Sequence, residues 1–135
     1  METQLPSGSV QLQRSFAAGV VTSPNYPGLY SDRLVMKDKI GVDQGLVIVV
    51  QLTDFETERG RDWLTITDGD GTALMGKTSG TILPTNISSR TNVIKYSFTT
   101  DGSVTKRGWS FSWSAMTPGG SPFTLLLDEF GFYAS

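Results

Sequence analysis

The sequence contains no cysteine and no histidine among its 135 residues. Without cysteine, disulfides, thiolate nucleophiles and thiolate zinc sites are excluded, and without histidine the commonest general base and transition-metal ligand is missing. Most catalytic machinery is therefore absent, and we expect that the chain is not an enzyme. Any metal must be held by carboxylate, carbonyl and water oxygens, a set of ligands that favours hard cations such as Ca²⁺ or Mg²⁺.

Long apolar runs and an excess of basic charge are missing as well. No apolar run approaches the roughly 18 residues that cross a bilayer, and the first four residues lack the basic and apolar regions of a signal peptide. Lys and Arg number 11 against 13 Asp and Glu, which gives a net charge of -2. We therefore expect a chain that does not span a membrane and does not bind nucleic acid.

Apolar residues alternate with polar ones or form short β-branched blocks between turns, and helix signals are weak throughout. Four segments read as strands, at residues 46–55, 63–67, 94–99 and 109–114. The second strand ends at the sequence Asp-Gly-Asp-Gly of residues 68–71, a tight-turn signal that predicts a hairpin. Strands of this kind, each with one polar face, predict an all-β fold, an antiparallel β-sandwich over residues 1–116.

Alternation also predicts which side chains fill the space between the two sheets. The residues expected to point inward are Ile48, Val50, Leu52, Leu64, Ile66, Tyr96, Phe98, Phe111 and Trp113. The aromatic series Trp109, Phe111 and Trp113 could instead be an exposed platform that stacks on sugars or bases, but the core interpretation is favoured because the alternating positions are all serine. Val47 and Val49, on the opposite face, are either a contact surface or a reflection of strand propensity.

The composition changes after Met116. Residues 117–122 read as a short linker, and residues 123–135 form an apolar tail. Because such a segment avoids water, we expect it to add a strand to its own domain, to pack against another copy in a homo-oligomer, or to begin a further module.

Several segments, in a fixed order, resemble the CUB domain family. They are residues 23–30 (SPNYPGLY), 54–58 (DFETE), 62–69 (DWLTITDG), then Pro84, Ile87, Ser88, Asn92 and residues 100–109 (TDGSVTKRGW). The resemblance covers residues 16–116. It implies a jelly-roll-like extracellular β-sandwich that serves protein–protein recognition or cell adhesion in secreted proteins, often beside other modules such as proteases, and that is not itself an enzyme.

The resemblance also implies a calcium site. Many CUB domains bind Ca²⁺ through residues that correspond here to Glu58, Asp62, Asp101 and the backbone of Ser103, with Tyr30 supporting the site. By the same resemblance, Glu58, Asp62 and Asp101 would receive an exposed lysine or arginine of a protein partner.

Two features depart from the family. Family members carry two disulfides, whereas Met36 and Ser79 stand at two of the cysteine positions and a third falls in a segment that is deleted between Glu58 and Asp62. Losing one disulfide typically costs a small secreted domain about 2 to 5 kcal/mol, so packing, metal or tail must compensate. The shortened loop also holds Arg59 and Arg61, which could neutralise the carboxylates by salt bridges instead of a metal, and the carboxylates could also stay solvated and unpaired.

The absence of cysteine alone would favour a reducing compartment, but the ordered motifs favour secretion. The sequon at Asn86, a candidate glycosylation site, is compatible with secretion. Three alternative functions stay open: a carbohydrate-binding β-sandwich with exposed tryptophans, a hydrolase that uses Glu58 and Asp101 as a carboxylate pair, and a non-catalytic appendage of a larger extracellular protease.

Overall fold

The structure is a computed structural model that describes residues 17–85 and 87–119. Within these ranges no helix is long and apolar enough to cross a bilayer. The described residues form eight strands: β1 (Ala18–Thr22), β2 (Val35–Gly41), β3 (Val47–Glu56), β4 (Trp63–Asp68), β5 (Ala73–Thr78), β6 (Ile87–Ser88), β7 (Val93–Thr99) and β8 (Gly108–Met116).

The strands form two four-stranded sheets in which every pair is antiparallel. One sheet has the order β1-β8-β3-β6 and the other β2-β7-β4-β5. The all-β sandwich expected from the sequence is confirmed, and β4 and β5 form the hairpin predicted from the Asp-Gly-Asp-Gly turn. The four predicted strands correspond to β3, β4, β7 and β8 with ends that differ by at most two residues.

Side chains from both sheets meet in a single core. Eight of the nine residues predicted to point inward are buried, as is Trp109. The ring of Tyr96 meets those of Trp109 and Phe111 edge to face, with centroids 6.3 and 5.5 Å apart. The ninth, Trp113, is only partly buried against this core. It lies opposite Gly19 of β1, where a Cβ atom would stand 2.8 Å from the indole nitrogen.

A bulge interrupts β3 where it pairs with β8. The register shifts between Leu52 and Asp54, so the side-chain alternation changes phase by one residue. Phe55 consequently faces the core, at 2% exposure, while Asp54 and Glu56 face outward. The bulge thus places two neighbouring carboxylates on the outer side of the strand, close to its end.

Strand pairing shows which parts of the chain lie at each end of the sandwich. Ala18 of β1 lies opposite Ser114 of β8, and Val47 of β3 lies opposite Met116. The described chain therefore enters and leaves at one end. The opposite end holds the loops that follow Glu56 and precede Gly108, since these two residues also pair.

Several predictions fall outside the described residues. These are the position of residues 1–16, the sequon asparagine Asn86, the second half of the proposed linker and the apolar tail of residues 123–135. The domain boundaries, the glycosylation site and the homo-oligomer through the tail therefore stay predictions.

Candidate metal centre

Three loops at the end of the sandwich bring three carboxylates together. Glu58 follows β3, Asp62 precedes β4 and Asp101 follows β7. One carboxylate oxygen from each residue lies within 4.8 Å of the others. Asp62 is fully buried, and Glu58 and Asp101 are partly exposed. The structure thus unites the residues that the sequence singled out, while their binding of a metal stays a prediction.

The shortened loop between Glu58 and Asp62 is a tight turn. The carbonyl of Glu58 accepts the N–H groups of Arg61 and Asp62, and Gly60 adopts a positive φ of 75°. The N–H of Gly60 donates to the hydroxyl of Ser79 at 2.8 Å. This hydrogen bond ties the loop to the end of β5, at a position where the resemblance places a cysteine.

Tyr30 and Asp62 form the buried base of the cluster. The Tyr30 hydroxyl donates to Oδ2 of Asp62 and accepts the backbone N–H of Glu58 at 3.1 Å. The other oxygen of Asp62 accepts the N–H of Asp101 at 3.0 Å. Burial, together with the hydrogen bond to Asp62, raises the pKa of Tyr30. Its hydroxyl therefore stays protonated and can donate this hydrogen bond. Tyr30 therefore contacts Asp62 and the backbone of Glu58, while its support of a metal site stays a prediction.

The loop that carries Asp101 is anchored by its neighbours. Thr100 exchanges two hydrogen bonds with the backbone of Leu34, and the carbonyl of Asp101 accepts the N–H of Arg33 at 2.8 Å. The N–H of Ser103 donates to Oδ1 of Asp101 at 3.2 Å. Ser103 thus lies beside the cluster, although its contribution of a backbone ligand stays a prediction.

Glu58 has the least compensated charge of the three. Its Oε1 atom is buried and has no hydrogen-bond partner among the described residues. Burial, and then repulsion by Asp101 and Asp62, raises the pKa of its carboxyl group. A buried polar atom without a partner is costly, so this oxygen is suited to a ligand that the protein chain does not supply.

The two arginines of the loop do not fill this role. Arg61 Nη1 lies 3.8 Å from Asp101 Oδ2, and the Arg61 side chain is 68% exposed. Arg59 forms no ion pair with the cluster and lines a separate groove beside Trp63. A single long and exposed ion pair contributes little, so salt bridges leave most of the negative charge in place. The oxygen-only set of ligands and the unpartnered Glu58 oxygen fit Ca²⁺.

A second polar cluster, not found from the sequence, supports the same end of the sandwich. Arg107 donates two hydrogen bonds to Asp54, at 2.8 and 2.7 Å, and a third to Glu56 at 2.9 Å. The hydroxyl of Tyr26 also donates to Asp54. The hydrogen bonds from Arg107 have the largest effect on the pKa of Asp54, followed by the one from Tyr26, and together they hold this pKa far below its usual value. The cluster attaches the loop before β8 to the bulged end of β3.

Asp68 plays a structural role that the turn motif did not reveal. It is fully buried and accepts hydrogen bonds from the N–H groups of Gly69, Arg90 and Thr91 and from the Thr91 hydroxyl. Burial alone would raise its pKa, but the hydrogen bonds outweigh burial and hold the pKa below its usual value. Asp68 therefore fixes the loop before β7 and lies apart from the carboxylate cluster.

Of the three tryptophans that could stack on sugars, Trp113 is partly buried against the core, and neither Trp109 nor Trp63 offers a free ring. Trp109 is 0% exposed and stacks on Phe111 inside the core. Trp63 is partly exposed, but the ammonium of Lys77 lies 4.6 Å from its ring centroid. Burial and this cation–π contact weaken the interpretation of the chain as a module that stacks sugars on aromatic rings.

The fold is an antiparallel β-sandwich with carboxylates at one loop edge, the architecture that the family resemblance implies. Comparison with known families agrees, because a model of the CUB domain matches residues 11–113. The chain belongs to the CUB domain family, whose members are non-catalytic interaction modules.

Known proteins share both the sequence and the fold. Bone morphogenetic protein 1 of Xenopus laevis is 33% identical over 102 residues, which cover 71% of this chain and 14% of that protein. Human cubilin is 33% identical over 105 residues, which cover 73% of this chain and 3% of that protein. The chain thus spans a small part of each of these relatives.

Among solved structures, the MASP-1 CUB2 domain bound to Ca²⁺ superimposes with a TM-score of 0.66 at 27% identity, covering 71% of this chain and 90% of that domain. The CUB1-EGF-CUB2 region of human MASP-1/3 matches with a TM-score of 0.68 at 27% identity, over 73% of this chain and 39% of that one. The fold agrees with these structures even though this chain has no cysteine.

Proposed function

We propose that this chain is an extracellular recognition module in which Ca²⁺ orders the carboxylate-lined edge and a lysine or arginine of a protein partner binds there. The observation that carries the proposal is the convergence of Glu58, Asp62 and Asp101 within 4.8 Å, with one Glu58 oxygen buried and unpartnered. The calcium-bound MASP-1 CUB2 domain, a structural relative, supports the choice of ion.

The negative charges of the three carboxylates favour a bound cation. Carboxylates at this separation repel one another, and among the described residues the one guanidinium that forms an ion pair with them, that of Arg61, is distant and exposed. A calcium ion would neutralise the carboxylates and join the three loops, with carbonyls and waters completing its coordination. Asp101 keeps part of its surface exposed, so a basic side chain of a partner can reach it.

The apolar residue Val104 supplies a second contact at the same edge. It lies three residues after Asp101, is 53% exposed, and has a positive φ of 42°. A β-branched residue rarely adopts this conformation, and strain of this kind is concentrated at binding sites. We infer that the edge combines a carboxylate for the partner's charge with an apolar group for its aliphatic stem.

The position of the edge suits a module within a longer protein. The described chain enters and leaves at the end that holds Ala18 and Ser114, and the carboxylates lie at the other end. Neighbouring modules attached through β1 and β8 would leave the carboxylate edge free. The chain can therefore act as a non-catalytic part of a larger extracellular protein, including a protease.

Thermal melting with calcium or a chelator tests the ion. Calcium at a hundredfold above its dissociation constant stabilises a fold by about 2.7 kcal/mol, which should raise the melting temperature by about 10 °C. Asp101→Asn should abolish this rise, while Asp43→Asn, the same charge change in an exposed loop, should retain it. An unchanged melting temperature from chelator to millimolar calcium would overturn the calcium proposal.

One further measurement distinguishes calcium from Arg61 as the counterion, and another tests the partner site. If Arg61 were the natural counterion, Arg61→Gln would destabilise the protein, whereas with calcium as the counterion it should increase calcium affinity. Retention on immobilised lysine should require calcium and should be lost in Asp101→Asn. Retention that is equal in chelator would contradict the proposed partner site without contradicting the fold.

A further inference from the structure

A group of lysines lies on the outer face of the sheet β2-β7-β4-β5, away from the carboxylate edge. Lys37 and Lys39 belong to β2, and Lys95 belongs to β7. Together they line a groove of about 480 Å³. The remaining residues of its lining are Asp38, Thr65, Thr67, Tyr96 and Ser97. We propose that this lysine groove binds a sulfated polysaccharide.

Strand register concentrates the positive charge. Lys39 lies directly opposite Lys95, and Lys37, two positions along β2, lies opposite Ser97. Since paired strands are about 4.8 Å apart and two residues span about 6.8 Å, the three side chains begin within about 10 Å of one another. Like charges directly opposite each other on a sheet are destabilising, so this arrangement lacks a structural reason.

None of the described carboxylates forms an ion pair with the three lysines, although Asp38 also belongs to the lining of the groove. The ion pairs among described residues involve Arg61 and Arg107. Asp38 lies between Lys37 and Lys39 in sequence, but strand alternation directs its side chain to the other face. There it accepts the N–H of Lys39 and hydrogen-bonds with Tyr96. The groove therefore presents a positive field, and the anion has to come from another molecule.

The rest of the lining favours a polysaccharide over other polyanions. Hydroxyls of Thr65, Thr67 and Ser97 lie beside the lysines and can bond the oxygens of sulfate and sugar. The ring of Tyr96 is buried, so the groove has no platform on which bases could stack. It also has no exposed apolar side chain to enter a lipid interface.

The lysine groove is independent of the proposed calcium edge. It uses the middle of β2, β7 and β4, whereas the carboxylates lie in loops at the end of the sandwich. Binding of a sulfated polysaccharide should therefore persist in chelator and in Asp101→Asn.

Chromatography on immobilised heparin in chelator, with a sodium chloride gradient, tests the inference. Lys39→Gln and Lys95→Gln should each elute at lower salt, and their affinity for a heparin oligosaccharide in solution should fall about tenfold, as expected when a charged hydrogen-bond donor is lost. Arg90→Gln, an equal charge change at an exposed residue outside the groove, should elute with the parent protein. Lys37→Gln tests the third exposed lysine of the groove and should also elute at lower salt, and melting temperatures establish that each variant is folded.

Four results would overturn the inference. The first is no retention on heparin. The second is equal retention on a sulfonate cation exchanger, which would reduce the interaction to net charge. The third is elution of the lysine variants together with Arg90→Gln. The fourth is tighter binding to phosphatidylserine vesicles or to duplex DNA than to the heparin oligosaccharide. Loss of binding by desulfated heparin would support the requirement for sulfate.

Discussion

Tyr30 donates its hydroxyl hydrogen to the carboxylate of Asp62, and both residues are withdrawn from solvent, at 2% and 0% exposure. The same hydroxyl accepts the backbone N–H of Glu58. Hydrogen bonds from Tyr30 and from the backbone therefore satisfy the buried Asp62 carboxylate, and the less compensated carboxylates are those of Glu58 and Asp101, nearer the surface.

Removing this hydroxyl should affect both stability and calcium binding. Tyr30→Phe leaves one oxygen of the buried Asp62 without a donor, which should lower the free energy of unfolding by about 1 to 3 kcal/mol. It should also weaken calcium binding, because the loop of Glu58 loses its anchor. Tyr26→Phe is a matched control, since its hydroxyl bonds Asp54 outside the cluster. Urea denaturation and calcium titration measure the two effects, and equal calcium affinity in both variants would contradict the role given to Tyr30.

The raised pKa of Glu58 predicts a pH-dependent response to calcium. Folding makes deprotonation of this group harder, so in chelator its contribution to stability should decline as the pH rises through the range above its ordinary pKa of 4.5. The proposed calcium ion would bind the deprotonated form and should reverse this slope. The calcium-induced rise in melting temperature should therefore shrink as the pH is lowered from about 7 toward 4.5. A rise that is constant over this interval would show that Glu58 does not bind the ion.

Arg107 should stabilise the protein most at neutral pH. Because the folded pKa of Asp54 is depressed, its contribution is present above the ordinary aspartate pKa of about 3.9 and is lost as the pH falls below it. Arg107→Lys removes the two-point contact and should lower the free energy of unfolding only modestly at pH near 7, because both side chains are partly exposed. Urea denaturation at neutral and acidic pH should show this cost diminish with acid. A cost independent of pH would assign it to packing of the Arg107 side chain.

Replacing Val104 should stabilise the protein and weaken partner binding. Asparagine tolerates a positive φ better than valine, so Val104→Asn should raise the free energy of unfolding by about 1 kcal/mol. The same change removes the apolar contact and should weaken retention on immobilised lysine. Val20→Asn, another exposed valine but on strand β1, should not gain stability. Reduced stability of Val104→Asn would contradict the strain, and unchanged retention would remove Val104 from the binding edge.

Local patterning predicted the sandwich because four long strands alternate apolar and polar residues. The short strands gave no such signal: β6 has two residues, and β1 has no buried position. Alternation predicts that Trp113 points inward, but alternation does not show where a strand passes the rim of the core. The bulge at Leu52 was also invisible, and it is the bulge that turns Asp54 and Glu56 toward Arg107, more than fifty residues along the chain.

The carboxylate cluster was anticipated through the family resemblance, since nothing local joins Asp101 to Glu58. The lysine groove was not anticipated. Exposed lysines on separate strands are ordinary in a sequence. Only the register that sets Lys39 opposite Lys95 shows that these lysines form one cluster. Features that depend on pairing between distant strands require the three-dimensional structure.

The pairing of β1 with β8 also determines how this domain responds to mechanical force. The strands are antiparallel, with Ala18 and Ser114 together at one end. Tension applied by flanking modules would pull these residues apart, so the backbone hydrogen bonds between β1 and β8 would break one after another, as in a zipper, and not all at once in shear. The end of this strand pair that lies nearer the carboxylate edge, at Thr22 and Ser110, would open last. A bound partner would therefore stay attached through the first stages of extension.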